Sequence, residues 1–326
     1  MNTAIIISEK KDVSTDTIID YLNYYKIPNI RIDKEEIFEN ISVNLSMDEN
    51  ETTTLENNFR TITIENKQLV FYRRGGISKS YPFFTNNFVK KNLENDVENF
   101  QIYFHEMLEN KIGDRNKEFY SNKLYNLKLA KESGLSIPPT LLTTSKQKLI
   151  SFIREHEKTI AKPLRNGWFF LEKDAEFNFA NTGLIDLDKA TNLEDSFALT
   201  LFQSYVNKDL ELRVFFTGNK FYSMAIFSQQ NEKTSIDFRN YDDNNPNRLT
   251  PFLLPSIVEE KLYILTQKIG LTTGSIDLIL TTNNDFVFLE VNPVGQFEWV
   301  SLNCNYYLEK EIALQIQLQL ENGKKN

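Results

Sequence analysis

Residues 274–297 constrain this chain more than any other stretch. Gly274-Ser275-Ile276-Asp277-Leu278-Ile279-Leu280 and Phe286-Val287-Phe288-Leu289-Glu290-Val291-Asn292 are apolar runs joined through Asn283-Asn284-Asp285, a tight-turn composition. The pattern predicts an antiparallel hairpin that sets Asp277, Glu290 and Asn292 on neighbouring strands. Glu290 and Asn292, two apart, share one face. Two carboxylates and an amide oxygen are hard donors, a set suited to Mg²⁺ carried on nucleotide phosphates. The plainer alternative is an amphipathic hairpin with a polar outer face. Pro293 directly after Asn292, and Gly295-Gln296 beyond it, make a more elaborate break than a solvated face requires.

Few other chemistries are open to the chain. Its one cysteine, Cys304, excludes an internal disulfide and any multi-cysteine metal site, and reads as a half-buried small residue. Its two histidines, His105 and His156, lie in charged helical contexts and read as solvated helix residues. Carboxylates, arginines and lysines must therefore carry the chemistry. A net charge of −8 argues against nucleic acid or an anionic membrane as the main partner. No apolar run approaches the roughly 20 residues of a transmembrane helix. Met1 to Ser8 has no basic leader, so no signal peptide is expected and the cytoplasm is the default location.

At 326 residues there is room for two or three packed units. Thr3 to Ser8, a helix over Ser14 to Tyr25 and Asn29 to Asp33 read as a β-α-β unit. The polar stretch from Ile37 to Phe59 has little periodicity. Phe59 to Ile64 and Gln68 to Arg73 alternate around Asn66-Lys67 like a hairpin. Tyr81-Pro82-Phe83-Phe84 reads as packing between that hairpin and a long helix, Asn86 to Glu109, with a partner-binding aromatic patch as the alternative. A further helix, Asp114 to Ser133, stops at Gly134. Thr144 and Gln147 have the spacing of a capping box for the helix Gln147 to His156. Thr159 to Pro163 and Leu199 to Val206 read as strands, and Glu211 to Thr217 with Lys220 to Phe227 as a hairpin. Ser256 to Ile269 and Tyr306 to Leu320 read as helices. The order is a small α/β unit, an α+β unit and a strand-rich unit with helices.

Several residues are candidates for charge neutralisation. Lys162 ends a strand beside a loop, where an ammonium can meet phosphate oxygens, although a surface lysine reads the same way. Lys123, near the middle of its predicted helix, is a weaker signal. Gln203-Ser204-Tyr205-Val206 can offer main-chain groups to a purine edge, with the Glu211 carboxylate nearby for ribose hydroxyls. Arg213 alternates with Leu212 and Val214, so it leaves their apolar face; an exposed arginine paired with Glu211 fits equally. Arg239 lies in the polar loop Ile236 to Asp242. Two arginines and two lysines around a metal–phosphate site are what phosphoryl transfer requires.

As an ordered set these residues resemble the ATP-grasp superfamily over roughly residues 115–305. Asn122-Lys123-Leu124 with Ala130 to Thr140 is similar to its helix-and-proline segment, and Ile160 to Leu164 to its phosphate-lysine strand. Gln203 to Val206 resembles its adenine hinge, Glu211-Leu212-Arg213 its ribose and phosphate pair, and Asp277…Glu290-Val291-Asn292-Pro293 its metal triad. Within the superfamily, Phe288 to Val300, with the extension Asn-Pro-x-Gly-Gln-Phe-x-Trp, resembles the graspetide synthetases of microviridin-type and grasp-with-spasm systems, as does Tyr72-Arg73-Arg74.

The resemblance implies an α/β and α+β ATP-grasp fold, with a pre-ATP-grasp domain (1–113), a central domain (114–203) and a C-terminal domain (204–326) clasping ATP. It implies a ligase that uses ATP and Mg²⁺ to phosphorylate Asp or Glu side chains of a ribosomally made precursor peptide. Thr or Ser hydroxyls, or Lys amines, would then attack, giving ω-esters or ω-amides; the partner is that peptide with its leader, and a homodimer is what the family suggests. By the same resemblance Asp277, Glu290 and Asn292 hold Mg²⁺, and Lys123 and Lys162 contact phosphates. Gln203, Ser204, Tyr205, Val206 and Leu289 meet the nucleotide, Glu211 the ribose, and Arg213 and Arg239 the γ-phosphate and substrate carboxylate. One departure stands out: where the superfamily has a glycine-rich lid, Arg165 to Phe170 holds only Gly167. The alternatives are an ATP-grasp ligase that adds a free amino acid to a carboxylate, and a nucleotide-binding scaffold without catalysis.

Overall fold

Ala4–Ser8 is buried along its whole length, and its alternate side chains enter two different cores. A computed structural model describes residues 3–45, 51–81, 83–164, 168–171, 176–179, 182–240 and 242–322, with the backbone alone for 168–171 and 176–179. The first strand lies in a parallel sheet, in the order Asn29–Asp33, Ala4–Ser8, Val70–Tyr72, Lys111–Ile112. Ile5 and Ile7 pack with Leu55, Ile62 and Ile64 of a three-stranded sheet and with Phe104 of the long helix Asn87–Met107. Ala4 and Ile6 face the helix Val13–Tyr24, whose Ile18 and Leu22 share a core with Leu308, Ile312 and Phe297 near the C-terminus. The first and last parts of the chain are thus joined by apolar packing.

The middle of the chain forms an antiparallel sheet ordered Thr140–Ser145, Ser196–Ser204, Thr159–Lys162, Gly183–Ile185, with the helix Lys146–His156 packed on it through Leu149 and Ile153. The last part is a five-stranded antiparallel sheet ordered Leu249–Phe252, Lys220–Ile226, Lys208–Thr217, Thr273–Thr281, Phe286–Asn292. Leu212, Val214 and Phe216 pack on one face with Leu262 and Leu265 of the helix Ser256–Ile269, and with Leu127 and Ala130 of the helix Lys123–Glu132. Glu211, Arg213 and Phe215 point the other way. Among the described residues no helix is long and apolar enough to cross a membrane.

Five expectations need correction. The segments 59–64 and 68–73 do not form a hairpin: Thr61–Glu65 pairs with Thr52–Glu56, while Val70–Tyr72 is a parallel neighbour of Ala4–Ser8. The burial patterns explain this. Thr61–Glu65 alternates, as a half-covered strand does, whereas all three residues of Val70–Tyr72 are buried, as in a parallel sheet covered on both faces. The helix expected over Asp114 to Ser133 is two, Arg115–Phe119 and Lys123–Glu132, because Asn122 caps the second by accepting from the Tyr125 amide. Ser145, not Thr144, caps the helix Lys146–His156. Phe83 is 93% exposed and Phe84 44%, so this aromatic stretch is not core; Pro82 lies outside the described residues. His105 is buried between the rings of Tyr72 and Phe104 rather than solvated, and burial pushes its imidazole down to about 3. Cys304 is buried, and the helix Glu298–Cys304 has no counterpart in the sequence reading.

Candidate functional site

The pairing register lines up three charges across three strands. Arg213 lies opposite Asp277, and Asp277 opposite Glu290. Arg213 Nη1 donates to Asp277 Oδ1 at 2.8 Å, with both side chains largely buried. This contradicts the exposed arginine paired with Glu211, since Glu211 instead accepts from Lys208 Nζ at 2.6 Å. A register shift just after Asp277 sets Leu278 opposite Phe288, so Leu289 has no opposite residue. This bulge lets the consecutive Leu289 and Glu290 both line the same cavity while Phe288 enters the core.

Cations converge on Glu290 from three segments. Lys123 Nζ lies 3.2 Å and Arg239 Nη1 3.5 Å from its carboxylate. Lys123 reaches it from the first residue of its helix rather than from mid-helix. Arg239 also forks onto Asp237 with two bonds of 2.8 Å. Burial pushes both strand carboxyls up. At Glu290 the nearby Lys123, Arg239 and Lys162 overcome that and hold it below the ordinary carboxylate range. At Asp277 burial, aided by repulsion from Glu290, outweighs Arg213, and the carboxyl stands above its ordinary value. Burial, with Lys123 and Arg239 close by, holds the Lys162 ammonium below the usual lysine range.

A cavity with about 590 Å³ of empty space runs from this cluster to the strand end at Gln203–Val206. Its lining includes Lys162, Gln203, Ser204, Tyr205, Val206, Glu211, Arg239, Asp277, Leu289 and Glu290, so the structure brings most of the predicted site residues together. The Ser204 and Tyr205 amides already donate to the Pro139 and Lys158 carbonyls. Among the described residues the Val206 amide has no such partner. A second, wider cleft of about 1470 Å³, lined by Glu118–Lys123, Leu164 and Glu290–Pro293, meets the first at Glu290. Asn292 lies in this cleft, and its Oδ1 accepts from the Val294 and Gly295 amides, both at 3.2 Å. Arg213 lines neither space; it lies within the sheet, bonded to Asp277, which does line the first.

The residues fit a metal–nucleotide complex. Among the described residues no group of three or more His, Cys, Asp or Glu could hold a metal, but Asp277, Glu290 and the Asn292 amide supply hard oxygens on one face of two strands. Arg213 Nε is buried without a hydrogen-bond partner among the described residues. Lys208 and Asp237 also line the cavity and escaped the sequence reading. Lys208 and Glu211 are three apart, opposite in strand parity. A bulge between Lys208 and Leu210 brings them together, so alternation alone could not pair them. The Asp-x-Arg spacing of Asp237 and Arg239 was the available signal for the other. The predicted lid residues Arg165 to Gly167 lie outside the described residues.

No family model matches the chain. A RiPP-associated ATP-grasp ligase of Chryseobacterium gregarium, solved with ADP and a leader and core peptide, superposes with a TM-score of 0.86, covering 99% of this chain and 97% of that one at 24% identity. The chain has the ATP-grasp fold. The macrocyclase MdnC of Microcystis aeruginosa, bound with precursor peptide MdnA, shares this fold with a TM-score of 0.77, over 95% of this chain and 98% of MdnC, again at 24% identity. Among curated proteins, the alpha-aminoadipate–LysW ligase LysX of Sulfurisphaera tokodaii is 23% identical over 201 residues, 59% of this chain and 67% of LysX. The ATP-grasp architecture expected from the sequence is thus borne out as a fold, with the hairpin 273–292 at the meeting point of its two clefts.

Proposed function

We propose that this protein is an ATP-dependent peptide macrocyclase. It transfers the γ-phosphoryl group of ATP to an Asp or Glu side chain of a ribosomally made precursor peptide. A Thr or Ser hydroxyl, or a Lys amine, of the same peptide then displaces phosphate, closing an ω-ester or ω-amide ring and leaving ADP. The observation that carries this reading is the junction at Glu290. There the cavity that runs to Gln203–Val206 meets a wider, more open cleft, and Lys123, Lys162 and Arg239 surround the carboxylates at that point.

In this reading Asp277, Glu290 and Asn292 hold Mg²⁺, which when bound neutralises phosphate charge. Lys123 and Lys162 take phosphate oxygens, and Arg239 steadies the transferring group and the substrate carboxylate. Arg213 keeps Asp277 in place. Gln203 to Val206 and Leu289 flank the base, and the Val206 amide is a donor for a ring nitrogen. Glu211 accepts from Lys208 and from Ser228 Oγ, both at Oε1, which leaves Oε2 for the ribose hydroxyls. His105 plays no part, since it is enclosed in the N-terminal core. The solved relatives that bind precursor, leader or core peptides support a peptide partner.

The match to LysX favours a second reading, in which a separate amine is joined to a carboxylate. Co-expression with a candidate precursor peptide that carries Thr, Ser or Lys together with Asp or Glu separates the two. Macrocyclisation removes one water per ring from that peptide. Turnover with free amino acids and none with the peptide would favour the second reading.

A further inference from the structure

Arg73 belongs to the Tyr-Arg-Arg stretch that follows the parallel strand Val70–Tyr72, far in sequence from the metal-binding hairpin, and it is 6% exposed. Its guanidinium is fixed on three sides. Nε donates to Ser14 Oγ at 3.2 Å and lies 3.3 Å from Asp12 Oδ2, and the group sits 4.7 Å from the centre of the Phe297 ring. On the fourth side Nη1 donates to the carbonyls of Val294 and Gly295, at 2.8 and 3.0 Å. These are the two residues whose amides hold Asn292 Oδ1. The turn after the hairpin is thus clasped twice: its N–H groups fix the Asn292 side chain, and its C=O groups are fixed by Arg73.

The turn has little freedom elsewhere. Gly295 has φ +56°, and a Cβ there would come within 2.6 Å of Ser275 Oγ. The contact is not needed to join the two ends of the chain, because Ile18 and Leu22 already share an apolar core with Leu308 and Ile312. Burying a guanidinium against one carboxylate is costly unless its remaining donors are used; here one of them is used on the Asn292 turn.

We infer that Arg73 is a positioning residue for the metal site, holding the Asn292 amide oxygen in place through the Val294–Gly295 turn. This rests on the metal–nucleotide reading above. Lysine would keep the charge beside Asp12 but lacks the planar fork that bonds Ser14 and the two carbonyls together. The probe is Mn²⁺, titrated by electron paramagnetic resonance into the full-length protein saturated with ADP. Arg73→Lys should weaken Mn²⁺ binding about 10- to 100-fold, as loss of an orienting partner does, while leaving metal-free ADP affinity within about threefold. Asn292→Ala should give a similar loss, and the double variant should lose no more than Asn292→Ala alone. Asp12→Asn/Arg73→Met removes both buried charges together and should reproduce the Mn²⁺ loss if the lysine variant does not fold. Wild-type Mn²⁺ affinity in a folded Arg73 variant, or simple addition of the two losses, overturns the inference. Unchanged Mn²⁺ affinity in Asn292→Ala overturns the metal reading itself, and the inference with it.

Discussion

The two ends of the cavity between Gln203–Val206 and Glu290 handle charge in opposite ways. At the inner end, Glu211 is closed into a local network: Lys208 donates to it at 2.6 Å and Ser228 at 2.7 Å, and all three side chains are buried. At the outer end Lys123, Lys162, Arg213 and Arg239 gather around Asp237, Asp277 and Glu290 among the described residues, and Arg213 Nε has no hydrogen-bond partner among them. A satisfied network recognises a ligand through what it leaves over, with little rearrangement. A cluster in which cations outnumber carboxylates among the described residues favours an anion brought from outside. On the proposed function the inner end would govern affinity, and the outer end the step in which phosphate charge moves.

Substitutions at the two ends should separate these roles. Glu290→Gln should have the largest effect, lowering turnover by at least about 100-fold while ADP still binds in equilibrium dialysis. Retained turnover would remove the outer end from the chemistry. Arg213→Ala leaves Asp277 buried and unpaired, a loss of about 3 kcal/mol on the scale of broken buried pairs. It should lower the urea midpoint and reduce turnover more than ADP affinity, because Arg213 does not line the cavity; equal losses would contradict a role confined to the outer end. Glu211→Gln should do the reverse, weakening ADP about tenfold with turnover at saturating ATP nearly unchanged.

The smallest effect is a pH dependence. The Lys162 ammonium is held below the usual lysine range by burial and by Lys123 and Arg239. As pH rises through that lowered value, Lys162 loses its proton in the folded protein before it would in the unfolded chain. ADP affinity should therefore fall on the alkaline side earlier than for an ordinary lysine. Lys162 should add to fold stability over the same window, because there the unfolded chain binds more protons. Lys162→Arg, which stays charged, should flatten the alkaline limb of ADP binding; an unchanged limb would assign it to another group.

Which parts of this arrangement could be read from sequence follows from what makes each contact. The hairpin with Asp277 and Glu290 was legible because two alternating strands and a tight turn are local, and the helix Ser256–Ile269 was legible from its amphipathic pattern. Bulges hid other features. Lys208 and Glu211 differ in strand parity, and only a shifted register makes them neighbours. Long-range choices were hidden too. Val70–Tyr72 looked like the second half of a hairpin, yet its continuous burial made it a parallel partner of Ala4–Ser8. His105 looked solvated because its helix is rich in charge, whereas its burial comes partly from Tyr72, a strand residue distant in sequence whose ring packs edge-on against it. The ordered set of candidate residues was readable before any distance was known; that Arg213 acts from behind Asp277 was not.

The account turns on the claim that the site at Glu290 joins side chains within one peptide. The most direct measurement mixes the purified protein with ATP, Mg²⁺ and a candidate precursor peptide that carries Thr, Ser or Lys together with Asp or Glu, and follows intact peptide mass together with ADP. The account predicts loss of one water for each ring closed, one ADP per water lost, and neither with Glu290→Gln. A peptide of unchanged mass, beside ATP consumption driven by a free amino acid, would contradict it.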